Sequence, residues 1–384
     1  MYKRQEFNNA YVQDISKDDY KIKQLPSYHI TRALSEYAPG MEIVIDGWSY
    51  KSEGISLKNN WGGSSTKDLL QHCTNCGAEH IVDHGDNQIS NVCTDCQTNS
   101  LSGIIPGSRF TEIIEPAGFA VDLFGEKSRE IKESSNIQYV EPLLIGVELW
   151  SDASHPVFEY RDSKDNAEIL YYNHGEGDGY SVCLECGRVS INASELIGHR
   201  RLRGGKDKES NSSSCNGNEN PYAIRHNVLL VGRFQTDFFE LRCKDGRGKL
   251  INDETTLFSI GQAISKNLTS FLGIEEQEVN FGLKKYKGFG SVFLFDTAKG
   301  GAGYVSQLAN FFEEVCKETL KQLQVCDCNS ACTKCLIDRN SQYHIDKLNR
   351  HKAIDWLKTV VAVSYTHLRA HETKANLVCR LLLE

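Results

Sequence analysis

The stretch "CDCNSACTKCLIDRNSQYHIDKLNRHKAIDWL", Cys326 to Leu357, decides how the C-terminal part of this chain is read. Four cysteines, Cys326, Cys328, Cys332 and Cys335, fall within ten residues, and a helix-like run follows at once. Cysteines recurring at such short spacing in a reducing compartment bind zinc, because a tight turn lets neighbouring thiolates reach one tetrahedral ion. The pattern predicts a metal knot that joins a long helix before it to a final one, "HIDKLNRHKAIDWLKTV".

Two more sets of four follow the same logic. "CTNC" (Cys73, Cys76) and "CTDC" (Cys93, Cys96), with 16 residues between the pairs, have the spacing of a zinc ribbon. "CLECG" supplies Cys183 and Cys186, and the following "IGHRRLRGGKDKESNSSSC" completes the set with His199 and Cys215. Gly77 and Gly187, just after second cysteines, fit turns that need a positive φ. Cys243, Cys316 and Cys379 remain as singles.

A chain of 384 residues builds cores without cross-links, so its 14 cysteines are not needed as disulfides. The start, "MYKRQEFNNAYVQD", lacks the apolar segment of a signal peptide, and no apolar run approaches the roughly 20 residues that span a bilayer. The reading is a soluble, cytoplasmic protein with no membrane partner. A net charge of −8 gives no global basic footprint, so any contact with nucleic acid is local. The best local candidate is Arg200, Arg201, Arg203, Lys206 and Lys208, a basic finger between the third and fourth ligands of the middle set. Lys284, Lys285 and Lys287 around Tyr286 form a weaker one.

Full tetrahedral shells leave no open position for water or substrate, so the zinc is read as structural and no catalytic residue is assigned. His174 and Glu176 before Cys183 and Cys186 superficially match a deaminase pattern, but six residues between Glu176 and Cys183 leave no room for the intervening elements. "KGGAGY" (Lys299–Tyr304) lacks P-loop spacing and reads as a tight strand-to-helix turn.

The fold class is α+β. Residues 25–220 form a β-rich region carrying the ribbon (73–96) and the second zinc site (183–215); residues 221–360 form an α+β domain. Its strands are "NVLLVGRFQTDFFELR" and "GSVFLFD". Between them Leu257, Ile260, Ala263, Ile264, Leu268, Phe271 and Leu272 recur at helical spacing and predict a core-facing stripe.

"FGSVFLFDTAKGGAGYVSQL" together with the opening stretch resembles the MrfA-like zinc-binding domain at the C-terminus of DEAD/DEAH-type superfamily-two helicases. "RALSEYAPGMEIVIDG", "EPAGFAVD", "YSVCLECG", "HRRLRGG" and "RFQTDFFELR" resemble segments that precede it, so the likeness covers about residues 25 to 360. It implies zinc on Cys326, Cys328, Cys332 and Cys335, DNA as partner, and a role in repair or anti-phage defence. Lys299 departs from the pattern where family members often carry proline. The Walker A loop, DExH box and second motor domain of such helicases do not occur in this sequence. The motor is therefore expected either in cis, outside this chain, or in trans, as for the zinc-domain component of the DISARM system. "MYKRQ" and "VSYTHLRAHETKANLVCRLLLE" resemble translated sequencing adaptors, so residues 1–5 and 363–384 are expected to be non-native and the chain a fragment. The rivals from other classes are a protein-only assembly scaffold and a metal-dependent enzyme acting alone.

Overall fold

The computed structural model describes residues 11–13, 22–24, 30–45, 47–57, 66–83, 89–121, 127–128, 140–145, 155–162, 167–175, 177–201, 214–220, 222–338 and 341–363. They divide into two compact units, one made of residues 1–73, 79–141 and 170–233, the other of 74–78, 142–169 and 234–384. No helix among the described residues is long and apolar enough to cross a membrane.

The first unit is β-rich. Helix α1 (Ile30–Glu36) buries Ala33 and Leu34 and stops before Gly40, whose φ of +100° suits glycine alone. Strands Glu42–Ile45 and Trp48–Ser56 pair as a hairpin, and the second also pairs with Gly118–Val121. A further sheet runs from Glu79–Asp83 through Thr66–Cys73 to Thr111–Glu115, which lies parallel to Ile224–Thr236. Tyr180–Cys183 joins the far edge of Ile224–Thr236. Asn173, 1% exposed, holds this core polar but satisfied: its amide donates to Leu34 O at 2.7 Å and its carbonyl accepts from Tyr180 Oη at 2.9 Å.

In the second unit four antiparallel strands lie in the order Phe158–Asp162, Phe238–Cys243, Phe289–Asp296, Val279–Tyr286. One face packs on α2 (Glu254–Leu272). Asp253 caps this helix, accepting from Thr256 N at 2.9 Å, and Gly273, at φ +69°, ends it. Leu257, Ile260, Ala263, Ile264 and Leu268 are buried as the helical spacing predicts, but Phe271 is 45% exposed and stacks on Phe311 instead. Gly261 lets α2 close on the sheet, since a Cβ there would sit 2.5 Å from the Phe281 ring. Helix α3 (Leu308–Val325) follows the glycine turn, and the last helix among the described residues, α4 (residues 350–363), follows the knot through a 3-10 segment, Ser341–Lys347. Asn349 caps α4 by accepting from the N–H groups of His351 and Lys352.

The strand Val279–Tyr286 is not evident in the sequence, where Gly282 and a lysine pair interrupt the apolar pattern. Gly282 is required because the Phe293 ring occupies the space of a Cβ. The lysines also change meaning. Lys284 is 4% exposed and donates to Leu144 O at 3.0 Å, so it is a core cation and not a nucleic-acid contact. Lys285 points outward, 3.4 Å from Glu254.

Candidate metal centres

The knot grows from the end of α3, where Cys326 is the C-cap residue. Its extended backbone turns the chain out of the helix, and the turn at Cys332–Cys335 brings it back: the N–H groups of Cys335, Leu336 and Ile337 all donate to Cys332 O. The sulfur separations are 3.5 Å for Cys326–Cys332, 3.6 Å for Cys328–Cys335 and 3.7 Å for Cys332–Cys335. A disulfide needs about 2 Å, whereas Zn–S bonds of about 2.3 Å in a tetrahedron put sulfurs about 3.8 Å apart. The thiols are unlike one another: the Cys326 thiol holds Cys332 down to about 6, while burial pushes Cys335 up to about 12. Four thiolates this close repel, and a bound cation relieves that repulsion as their protons leave.

Its support comes from residues that sequence reasoning did not single out. Arg350, 8% exposed at the start of α4, donates through Nε to Cys328 O at 2.8 Å and through Nη1 to Leu323 O at 3.2 Å. On the other side α2 reaches the knot through Lys266, whose Nζ donates to Thr333 O and Ile337 O, and through Gln262, which donates to Asp338. These residues bind backbone carbonyls or an acid beyond the cysteines, so no spacing rule announces them.

The middle set lies in the first unit. Cys183, Cys186, His199 and Cys215 bring one ligand atom each to within 4.8 Å of the others. His199 is 5% exposed, its Nδ1 is 2.8 Å from Leu196 O and its Nε2 is 3.5 Å from Cys186 Sγ. With the Nδ1 proton donated to that carbonyl, the Nε2 lone pair is free for a metal. Gly187, at φ +76°, closes the first knuckle by donating to Cys183 O, and a Cβ on Gly217 would lie 2.7 Å from Cys183 Sγ. The Cys186 hydrogen bond and then burial raise Cys183 to about 12.

The ribbon thiols Cys73, Cys76, Cys93 and Cys96 likewise lie within 4.8 Å of one another, with Cys73 and Cys96 3.6 Å apart. Gly77 has a φ of +69°. His80 Nε2 lies 3.3 Å from Cys93 Sγ and 3.1 Å from Asp95 Oδ2, an outer contact that the cysteine spacing did not point to.

The other sequence candidates fall elsewhere. Arg200 and Arg201 are exposed; Arg203, Lys206 and Lys208 lie outside the described residues, as does Cys379. Cys243 and Cys316 are buried in the second core, and burial raises both thiols. The "KGGAGY" turn holds the protein's own carboxylates: Asp296 accepts from the N–H groups of Ala302, Tyr304 and Val305, and Asp237 from that of Gly303. A Cβ on Gly301 would strike Asp237, so the turn is a filled nest that fixes the start of α3.

Residues 260–336 match the family model described as MZB, the MrfA Zn-binding domain. This part of the chain is an MrfA Zn-binding domain. The match runs from within α2 through the hairpin, the glycine turn and α3 to the end of the knot, so the MZB domain contains all four of its cysteines. Its cofactor is zinc. Druantia protein DruE of Escherichia coli (strain UMEA 4076-1) is 27% identical over 368 residues, which is 86% of this chain and 19% of that protein. The chain thus spans about a fifth of the curated relative it matches. Among solved structures, the DUF1998 helicase MrfA bound to DNA aligns with 92% of this chain and 34% of its own at 11% identity and a TM-score of 0.42. The same helicase bound to DNA and AMPPNP aligns with 92% of this chain and 31% of its own at 9% identity and a TM-score of 0.36.

Proposed function

We propose that this chain is a zinc-stiffened, non-catalytic part of a helicase-like protein that acts on DNA, in repair or in defence against foreign DNA. The observation that carries the reading is the MZB domain, with its four-thiol knot fastened to α2, α3 and α4. DruE, similar along most of the chain, supports the same context.

The chemistry assigned to this part is mechanical. Each of the twelve predicted ligands belongs to a set of four, and a closed tetrahedral shell supplies shape instead of a reactive water. Zinc on the knot fixes the joint between α3 and α4, and zinc on the middle set fixes the base of the basic finger that begins at Arg200 and Arg201. ATP turnover and strand separation belong to a motor in the same protein or in a partner.

The purified chain is expected to bind DNA with an affinity that falls steeply with salt and to hydrolyse no ATP with or without DNA. DNA-stimulated ATP turnover by the chain alone would contradict its non-catalytic role. Absence of salt-sensitive binding would favour the protein-only scaffold.

A further inference from the structure

We infer that Tyr222 is a base-stacking residue and that the middle metal module takes single-stranded nucleic acid, an inference that rests on the DNA-binding role proposed above. The Tyr222 side chain is 76% exposed although its backbone is tightly held. Its N–H donates to Asn220 Oδ1 at 3.0 Å, and the next residue, Ala223, is buried, donates to Asn220 O and accepts from Leu184 N at 2.7 Å. Leu184 stands between the ligands Cys183 and Cys186, and Ile224 pairs with Cys183 across the sheet. The segment that presents the ring therefore starts at one predicted ligand, Cys215, and ends hydrogen-bonded to the strand of another.

The same metal set holds the cations. His199 O accepts from Cys215 N at 3.1 Å and from Asn218 Nδ2 at 3.0 Å, which ties the start of the basic finger to the turn leading to Tyr222. Arg200 and Arg201, immediately after His199, are exposed, and Ile197, two residues before it, is 81% exposed. An exposed aromatic ring, an exposed apolar side chain and two exposed arginines, all carried on backbone tied to the same four-ligand set, match a ligand with both phosphates and open base faces. Duplex DNA offers phosphates but hides its base faces in the stack. A single strand offers both, and an aromatic ring accepts any base.

The test uses the full chain with labelled oligothymidine of about 20 nucleotides and a duplex of the same length. Tyr222→Ala is expected to weaken binding to the single strand roughly tenfold, to leave duplex binding unchanged, and to keep the salt slope, since the ring carries no charge. Tyr222→Phe should bind like the parent, and zinc content should be unchanged in both. The triple variant Arg200→Ala, Arg201→Ala, Arg203→Ala should instead flatten the salt slope by about 0.9 log units for each duplex phosphate that the arginines neutralise in the parent. If that triple variant flattens the slope while Tyr222→Ala binds the single strand like the parent, the stacking inference is overturned and the DNA-binding role stands. If the parent binds neither oligonucleotide, the DNA-binding role itself fails and Tyr222 with Ile197 belongs to a protein contact.

Discussion

Arg350 carries more of the knot than its place in the sequence suggests. A basic residue in the first turn of a helix is usually a solvated one, and the helix dipole there disfavours positive charge. Here the guanidinium is buried and closes two carbonyls, one from within the cysteine knot and one from the last turn of α3. Hydrogen bonds from a charged donor contribute about 1.5–3 kcal/mol each. Arg350→Met, which keeps the bulk and removes the donors, is expected to destabilise the MZB domain by about 2 kcal/mol in denaturant unfolding. It should also speed loss of zinc to a chelator, whereas an unchanged release rate would show that the cysteines hold the joint without it.

Among the elements, the four-stranded sheet of the second unit is the least like its sequence. Its face opposite α2 carries Glu240, fully buried, which accepts from Arg161 Nε at 2.6 Å and from Tyr286 Oη at 2.7 Å. Burial pushes the Glu240 carboxyl up, but Arg161 and Lys284 outweigh it and hold it below the ordinary carboxylate range. Glu240→Ala removes the carboxylate that faces the buried Arg161 guanidinium and is expected to cost about 3–5 kcal/mol. Because the folded carboxyl is lowered, its stabilising contribution is full above the ordinary carboxylate range and is lost as pH falls through the folded value. A parent protein whose stability stays flat through that range, measured against Glu240→Gln, would contradict this assignment. None of it could be read locally: Arg161 meets Glu240 only because strand Phe158–Asp162 pairs with Phe238–Cys243 across a long stretch of chain. By contrast α2 was legible, since its cap, its apolar spacing and its terminal glycine are all written in or beside the helix. Phe271 departs from the pattern: it stays 45% exposed and stacks on Phe311, a partly buried ring at the margin of the same core.

For the molecule as a whole, the clustering of the three four-residue sets is the most legible feature and the cause is physical. A tetrahedral site built on tight turns needs its ligands at short, fixed spacing, so the cysteines mark the sites before any fold is known. The structure brings each of the three predicted sets within 4.8 Å, and the groups that orient them, such as the carbonyl of Leu196 behind His199, stay invisible because backbone atoms leave no trace in a sequence. We propose that each of the three four-ligand sets holds one structural zinc, with no open zinc site among the described residues. Zinc content together with X-ray absorption at the zinc edge, on full chain purified without added metal, tests it most directly. Three closed sites predict three zinc ions per chain with a summed shell of eleven sulfurs to one nitrogen and no oxygen. A content near one zinc, or a shell containing oxygen at one site in three, would contradict it.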